Sequence, residues 1–251
     1  MESIYTTLIT GIQNYFKETG LKRVVVGVSG GVDSSLTLKL AVDAIGAERV
    51  TGISMPEHGV SSAENIDHAR KLTEALGATF FSQPINSFLN QFGHLPWKTS
   101  RVASQNTKSR IRAVLLYHYA NTAEALVLGT SNKSEILLGY GTKYGDLAAD
   151  LEVIGELYKD EVWKLADFVG LPREIIEKKP TAELYSGQTD EGELGATYQE
   201  LDPILRRLNL GENGLIEDGM SATLVHSVLA RVEKNRHKSH MPPVIKVEKM
   251  P

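Results

Sequence analysis

The chain has 251 residues, 41% hydrophobic and 23% charged, with a net charge of −4 from 27 Lys+Arg against 31 Asp+Glu. Cysteine is absent, which excludes disulfides, thiolate zinc sites, iron–sulfur clusters and a cysteine nucleophile. The acidic balance provides no polybasic footprint, so neither nucleic acid nor a membrane surface is expected as a partner.

In chain order, Ile4, Leu8, Ile12 and Tyr15 recur at helical spacing, which predicts an amphipathic helix over 2–19 closed by Gly20. The N-terminus begins with an acid and carries no basic n-region, and no apolar run reaches about 18 residues. The expected localisation is therefore cytoplasmic. Short β-branched runs follow at 23–29, 50–55, 79–82 and 125–130. Helical patterns lie between them at 34–45, 62–76 and 107–120, the first two closed by Gly46 and Gly77. Strands alternating with helices predict an α/β fold, a parallel sheet with helices on both faces. Beyond 131 the sequence turns Gly-rich and weakly periodic. Helices are expected at 160–169, 172–178, 196–208 and 221–235, giving a helical C-terminal part. A polar loop separates the second and third of these, and the tail from Arg236 starts basic. No linker or repeat divides the chain, so residues 1–251 are expected as one domain.

The stretch VVVGVSGGVDSS, from Val24 to Ser35, is the most informative. A strand runs into a Ser-Gly-Gly turn, and a helix starts near Val32. The P-loop lysine is missing, and Ser29 occupies the second glycine position of the dinucleotide fingerprint. The geometry still suits phosphate: exposed helix N–H groups, glycines for close approach, and hydroxyls at Ser29, Ser34 and Ser35. A carboxylate at Asp33 repels phosphate unless a cation lies between them. Mg²⁺ suits that place, because it takes oxygen ligands from carboxylates and phosphates together. The alternative is a plain strand–turn–helix in which Asp33 complements the helix dipole.

SGGVDS resembles the signature of the ATP pyrophosphatases, which cleave ATP between its α- and β-phosphates and transfer AMP to a substrate oxygen. Further matches follow in order: Gly129–Glu135 (GTSNKSE), Lys143–Asp146 (KYGD), Asp150, Tyr158-Lys159, Lys179–Leu184 (KPTAEL) and Asn235–Lys238 (NRHK). Together they resemble the NAD synthetases from residue 24 to about 242. The resemblance implies a Rossmann-like, adenine nucleotide alpha-hydrolase-like fold. It also implies amidation of deamido-NAD by ammonia through an adenylated carboxylate, with ATP as co-substrate and release of AMP and pyrophosphate.

The roles it implies are as follows. Gly27, Val28, Ser29, Gly30, Gly31, Val32, Asp33 and Ser34 cradle the ATP phosphates, with Thr130, Lys159 and Thr181 as further ATP contacts. Asp33 and Glu135 hold Mg²⁺. Arg110, Lys143, Asp150, His237 and Lys238 bind deamido-NAD. Asp146 handles ammonia, and Asp33, Asp146 and Lys159 form the catalytic set. Arg and Lys suit a substrate that carries a diphosphate and a carboxylate. Of the neighbours Arg110 and Arg112, Arg110 fits the family's K-x-R pattern, and the other is open to a structural role. Glu135 could instead be an early-helix acid. His237 and His240 are spaced for a metal pair but have no third ligand nearby. Some NAD synthetases hydrolyse glutamine with a cysteine; this chain has none, so free ammonia, or ammonia from another chain, is expected. Relatives act as homodimers. The loop 181–195, with Gly187, Gly192 and Gly195, is expected to be a mobile lid. The competing functions are adenylation of a tRNA or a purine nucleotide, and non-catalytic nucleotide sensing.

Overall fold

The computed structural model describes residues 1–185 and 187–247. Ser186 of the polar loop and residues 248–251 of the tail lie outside it. Five parallel strands carry the fold: β1 (Arg23–Gly27), β2 (Val50–Ser54), β3 (Thr79–Ser82), β4 (Ala125–Gly129) and β5 (Leu151–Glu152). Their order in the sheet is β3-β2-β1-β4-β5. Val25 pairs with Thr51 on one side and Val127 on the other, which fixes the central register. β1 beyond Arg23 and all of β2 and β4 are largely buried, which suits the apolar runs of β1 and β4, while β2 buries Thr51 and Ser54 as well.

α1 (Glu2–Thr19) precedes β1, and between the strands run α2 (Val32–Ile45), α3 (Ala63–Ala75), α4 (Asn86–Leu89) and α5 (Arg101–Ala123). Beyond β4 come α6 (Lys133–Leu138), α7 (Lys159–Phe168), α8 (Arg173–Ile176), α9 (Asp190–Leu194), α10 (Tyr198–Leu205), α11 (Gly211–Glu217) and α12 (Ala222–Asn235). On one face of the sheet α1, α2 and α7 bury Val24, Val26, Leu36, Leu40 and Leu165. On the other, α5 covers Val25, Ile53 and Val127. The C-terminal helices have their own core, including Leu138, Tyr198, Leu201, Leu215 and Val228.

The expected α/β class, the four principal strands and α1 stand as read. Two differences have clear causes. α5 begins six residues earlier than expected, where Ser100 Oγ accepts the Ala103 N–H at 3.2 Å. Its first turns are largely exposed, so they carry little hydrophobic period. β5 has only two residues and was not expected. It exists because Leu151 and Glu152 pair with Leu128 and Gly129, a tertiary contact with no local period to announce it.

Candidate active site

The chain leaves β1 through α2 on one face of the sheet and enters β4 from α5 on the other, and ligands of such sheets bind at that switch point, beyond the carboxyl ends of the strands. A cavity of about 910 Å³ opens there. The Ser-Gly-Gly turn forms part of its wall. Gly30 has φ +81°, and a Cβ there would strike the carbonyl oxygen of Asn65 on α3. Only glycine fits. Ser34 Oγ donates to the Gly31 carbonyl at 3.2 Å and accepts the Ser29 N–H at 3.2 Å, so the turn is tied to the first turn of α2.

Asp33 leads from this turn to the centre of the site. Its Oδ2 lies 2.6 Å from Lys159 Nζ, and its Oδ1 accepts from Asn132 Nδ2 at 2.9 Å. Lys159 Nζ also lies 3.4 Å from Glu135 Oε1. Lys159 is only 1% exposed. Each member of this triad is placed by local structure. Asn132 caps α6 in a reciprocal box with Glu135: Asn132 Oδ1 accepts the Glu135 N–H at 3.0 Å, and Glu135 Oε2 accepts the Asn132 N–H at 3.3 Å. The Lys159 N–H donates to Ser134 Oγ at 3.0 Å. Asp202, buried on α10, accepts from Ser134 Oγ and from the Asp160 N–H, so the C-terminal helices hold the start of α7.

The charges around Lys159 do not balance. Asp190 sits close by, buried, with Tyr140 Oη donating to it at 3.0 Å. Three carboxyls thus share one ammonium. Burial raises the Glu135 pKa to about 8; Lys159 opposes the rise, while Asp33 and Asp190 add to it. Burial also raises Asp190. Burial works against charge on Lys159, but Asp33 and Glu135 outweigh it and hold its pKa above the ordinary lysine value. A divalent cation would relieve this excess of acid. Among the described residues no three His, Asp or Glu side chains converge to hold a metal by themselves. Asp33 and Glu135 supply the carboxylate oxygens that could hold a Mg²⁺.

Of the residues expected at the site, Gly27, Val28, Ser29, Gly31, Val32, Asp33, Ser34, Thr130, Glu135, Asp146, Lys159, Thr181 and Lys238 line the cavity. Gly30 shapes the turn behind its wall. In KYGD, Tyr144 takes φ +63°, and Asp146 turns back so that both its oxygens face the Thr142 N–H at 3.2 and 3.1 Å. Lys238 Nζ donates to the carbonyls of Gly139 and Gly141 at 2.7 and 3.0 Å.

Arg110, Lys143 and His237 are placed outside the cavity lining. They are linked on the exposed surface: Arg110 Nε donates to the Lys143 carbonyl at 3.4 Å, and Lys143 Nζ to that of His237 at 2.6 Å. Their chain neighbours Ser109, Thr142 and Lys238 do line it. Asp150 also stands apart. Its Oδ2 accepts the Val127 N–H at 2.8 Å and its Oδ1 accepts from Tyr117 Oη at 3.2 Å, bracing β4.

The sequence reading gave no site role to Asn132, Asp190 or Asp202, and it preferred Arg110 to Arg112. Arg112 faces the cavity, and its Nε donates to the Met55 carbonyl at 2.9 Å. Helical period could have found it: Ser109, Arg112, Ala113 and Leu116 form the inward stripe of α5, which Arg110 does not share. Asn132 had a signal too, the N-x-x-E capping pattern. Asp190 and Asp202 had none, because only the tertiary fold brings α9 and α10 to α7.

The polar loop lies against the cavity as well. Lys108 Nζ on α5 donates to the Leu184 carbonyl at 2.8 Å, and Asn65 Nδ2 on α3 donates to Glu183. Thr181 Oγ1 donates to the Gln188 carbonyl at 2.8 Å.

The chain is 43% identical over 98% of its length to the NH(3)-dependent NAD(+) synthetase of Archaeoglobus fulgidus, covering 97% of that protein. Its fold is similar to the solved NH3-dependent NAD synthetase of Campylobacter jejuni, with a TM-score of 0.84 and 33% identity over 98% of this chain and 99% of that one. It is also similar to the NMN synthetase of Francisella tularensis, with a TM-score of 0.87 and 28% identity over 98% of both chains. The family model described as NAD synthase matches residues 4–242, and the chain belongs to that family.

Proposed function

We propose that the protein makes NAD by amidating the nicotinate carboxylate of deamido-NAD with ammonia, at the expense of ATP. The observation that carries this reading is the buried Asp33–Lys159–Glu135 triad just beyond the Ser-Gly-Gly turn, on the wall of the 910 Å³ cavity. A carboxylate resists ammonia because oxide is a poor leaving group. Adenylation removes that obstacle. The carboxylate oxygen attacks the α-phosphorus, the new O–P bond forms, and the bond to the β-phosphate oxygen breaks with pyrophosphate leaving.

The first turn of α2 offers N–H groups that the helix itself does not use, aimed at phosphate oxygens. Asp33 and Glu135 would hold Mg²⁺, which supplies charge neutralisation to the triphosphate when bound. Lys159 offsets negative charge developing on the departing pyrophosphate. Thr130 and Thr181 make the further ATP contacts. Ammonia then attacks the acyl carbon, and AMP leaves with the bonding electrons. Asp146 accepts the proton that nitrogen must lose, or orients ammonium before it does so. Lys238 contacts the dinucleotide from the cavity wall. Arg110, Lys143 and His237 receive its outer end at the surface, and Asp150 supports them through β4.

Residues 1–251 are read as one domain: Trp163 packs against both the sheet core and the C-terminal core, which supports that reading. A homodimer is proposed on the apolar surface at and beside α5, where Trp97, Val102 and Val114 are 64%, 62% and 68% exposed. Among the described residues no helix is long and apolar enough to cross a membrane. Dependence on ATP supports a place in the cytoplasm.

The test supplies purified protein with Mg-ATP, ammonium and deamido-NAD. AMP, pyrophosphate and NAD should form in equal amounts, with no AMP when deamido-NAD is omitted. AMP formation that ignores deamido-NAD refutes the reading. Nicotinate mononucleotide in place of deamido-NAD separates dinucleotide from mononucleotide amidation.

A further inference from the structure

α12 contributes a second charged wall to the cavity, and the roles assigned above account for only part of it. Ser227, Arg231, Lys234 and Lys238 follow at intervals of four, three and four residues, and all four line the cavity. That spacing puts them on one face of the helix and of the short turn that extends it. Three of them are cations. Among the described residues none of the three forms an ion pair.

Their surroundings sharpen the point. Arg231 Nη1 donates to the Glu193 carbonyl at 3.2 Å, but its Nε–H is buried without any acceptor. A buried guanidinium N–H left unpaired is costly, and such an orphan calls for a partner. Burial lowers the Lys238 pKa; Arg231 and Lys234 push it the same way, and Asp146 alone opposes them. Three cations close enough to repel one another, facing open space, are held together at a cost that an anion would remove.

We infer that Arg231, Lys234 and Lys238 form a diphosphate subsite on the α12 wall of the cavity, distinct from the Ser-Gly-Gly turn. This rests on the proposed function, which brings only two diphosphate groups other than the ATP chain held by the turn. One is the bridge of deamido-NAD, and the other is the pyrophosphate released. The single charge of the nicotinate carboxylate would leave most of the cluster unbalanced, whereas a diphosphate carries at least two charges. Arg231 presents its N–H edge to one phosphate, and the two lysines act as point charges.

The test has a binding arm and a kinetic arm. In the first, inorganic pyrophosphate is titrated calorimetrically into the ATP-free protein and into Arg231→Gln and Lys234→Gln, with circular dichroism to establish that each is folded. In the second, the KM for deamido-NAD, the KM for ATP and inhibition by pyrophosphate are measured. Each substitution should weaken diphosphate binding about tenfold, the scale of one charge-assisted hydrogen bond, and leave the ATP KM within about twofold. Arg231→Lys should recover part of the loss. A rise confined to the deamido-NAD KM assigns the subsite to the dinucleotide bridge. A rise confined to the pyrophosphate constants assigns it to the leaving group. Both constants unchanged in folded Lys234→Gln and Arg231→Gln overturn the inference. Because the calorimetric arm needs no turnover, a wild-type protein that binds pyrophosphate, with that binding weakened in Arg231→Gln and Lys234→Gln, but makes no NAD would refute the proposed function and leave the subsite standing.

Discussion

Replacing Lys159 by Met tests the centre of the site. Methionine keeps most of the side chain's length and removes the charge. Lys159 Nζ lies 2.6 Å from Asp33 and 3.4 Å from Glu135 and is almost wholly buried. At an effective dielectric of about 20, each contact attracts by ~5–6 kcal/mol before desolvation is subtracted. Much of that attraction offsets the cost of burying the charges. Breaking a buried pair by removing one partner typically costs about 3–5 kcal/mol, because the remaining charge is left uncompensated. For a chain of this size that corresponds to a fall in Tm of roughly 6–20 °C. The loss should be larger at pH 8 than at pH 5, because Glu135, whose pKa is raised to about 8, folds protonated at the lower pH. Mg²⁺ should restore part of the stability by taking the vacated charge position. Thermal unfolding of both proteins at pH 5 and pH 8, with and without Mg²⁺, is the assay. A loss below about 1 kcal/mol at pH 8, typical of an exposed ion pair, or one independent of pH, would refute the reasoning.

Gly30→Ala should lose more than about 2 kcal/mol, combining the left-handed backbone cost with the Asn65 collision. Gly31→Ala should change stability by less than about 1 kcal/mol, since Gly31 has φ −87° and a Cβ there makes only ordinary contact; equal midpoints in urea for the two variants would count against the turn geometry. Glu135→Gln tests the raised carboxyl. In the wild type the favourable contribution of protonated Glu135 is complete below about pH 4.5 and is lost as the pH rises through about 8. Gln does not titrate, so the Tm of the variant should gain on the wild type across that window, and parallel curves would contradict the assignment. Glu183→Ala removes the acceptor for Asn65 and should speed proteolysis within 181–195, with ATP and deamido-NAD together slowing it in the wild type; equal cleavage in every case would argue against a lid.

The sequence by itself determined the parallel sheet and the Ser-Gly-Gly turn that leads from β1 into α2. Both are written in short-range terms: β-branched runs of strand length, glycines where the backbone turns, and a carboxylate beside them. The capping residue Asn132 and the inward stripe of α5 were also legible, though period had to be read with care to prefer Arg112 to Arg110 for the cavity wall. What only the tertiary structure decided is which charges meet. Asp33, Glu135, Lys159 and Asp190 come from four separate elements, and Asp202 reaches across from α10 to set the start of α7. Nothing in local spacing encodes these meetings, because they depend on packing between the sheet and the C-terminal helices. β5 belongs to the same class: two residues form a strand only because β4 presents an open edge. The perturbed ionisation of the site follows from burial, a property that residues acquire only when the chain closes around them.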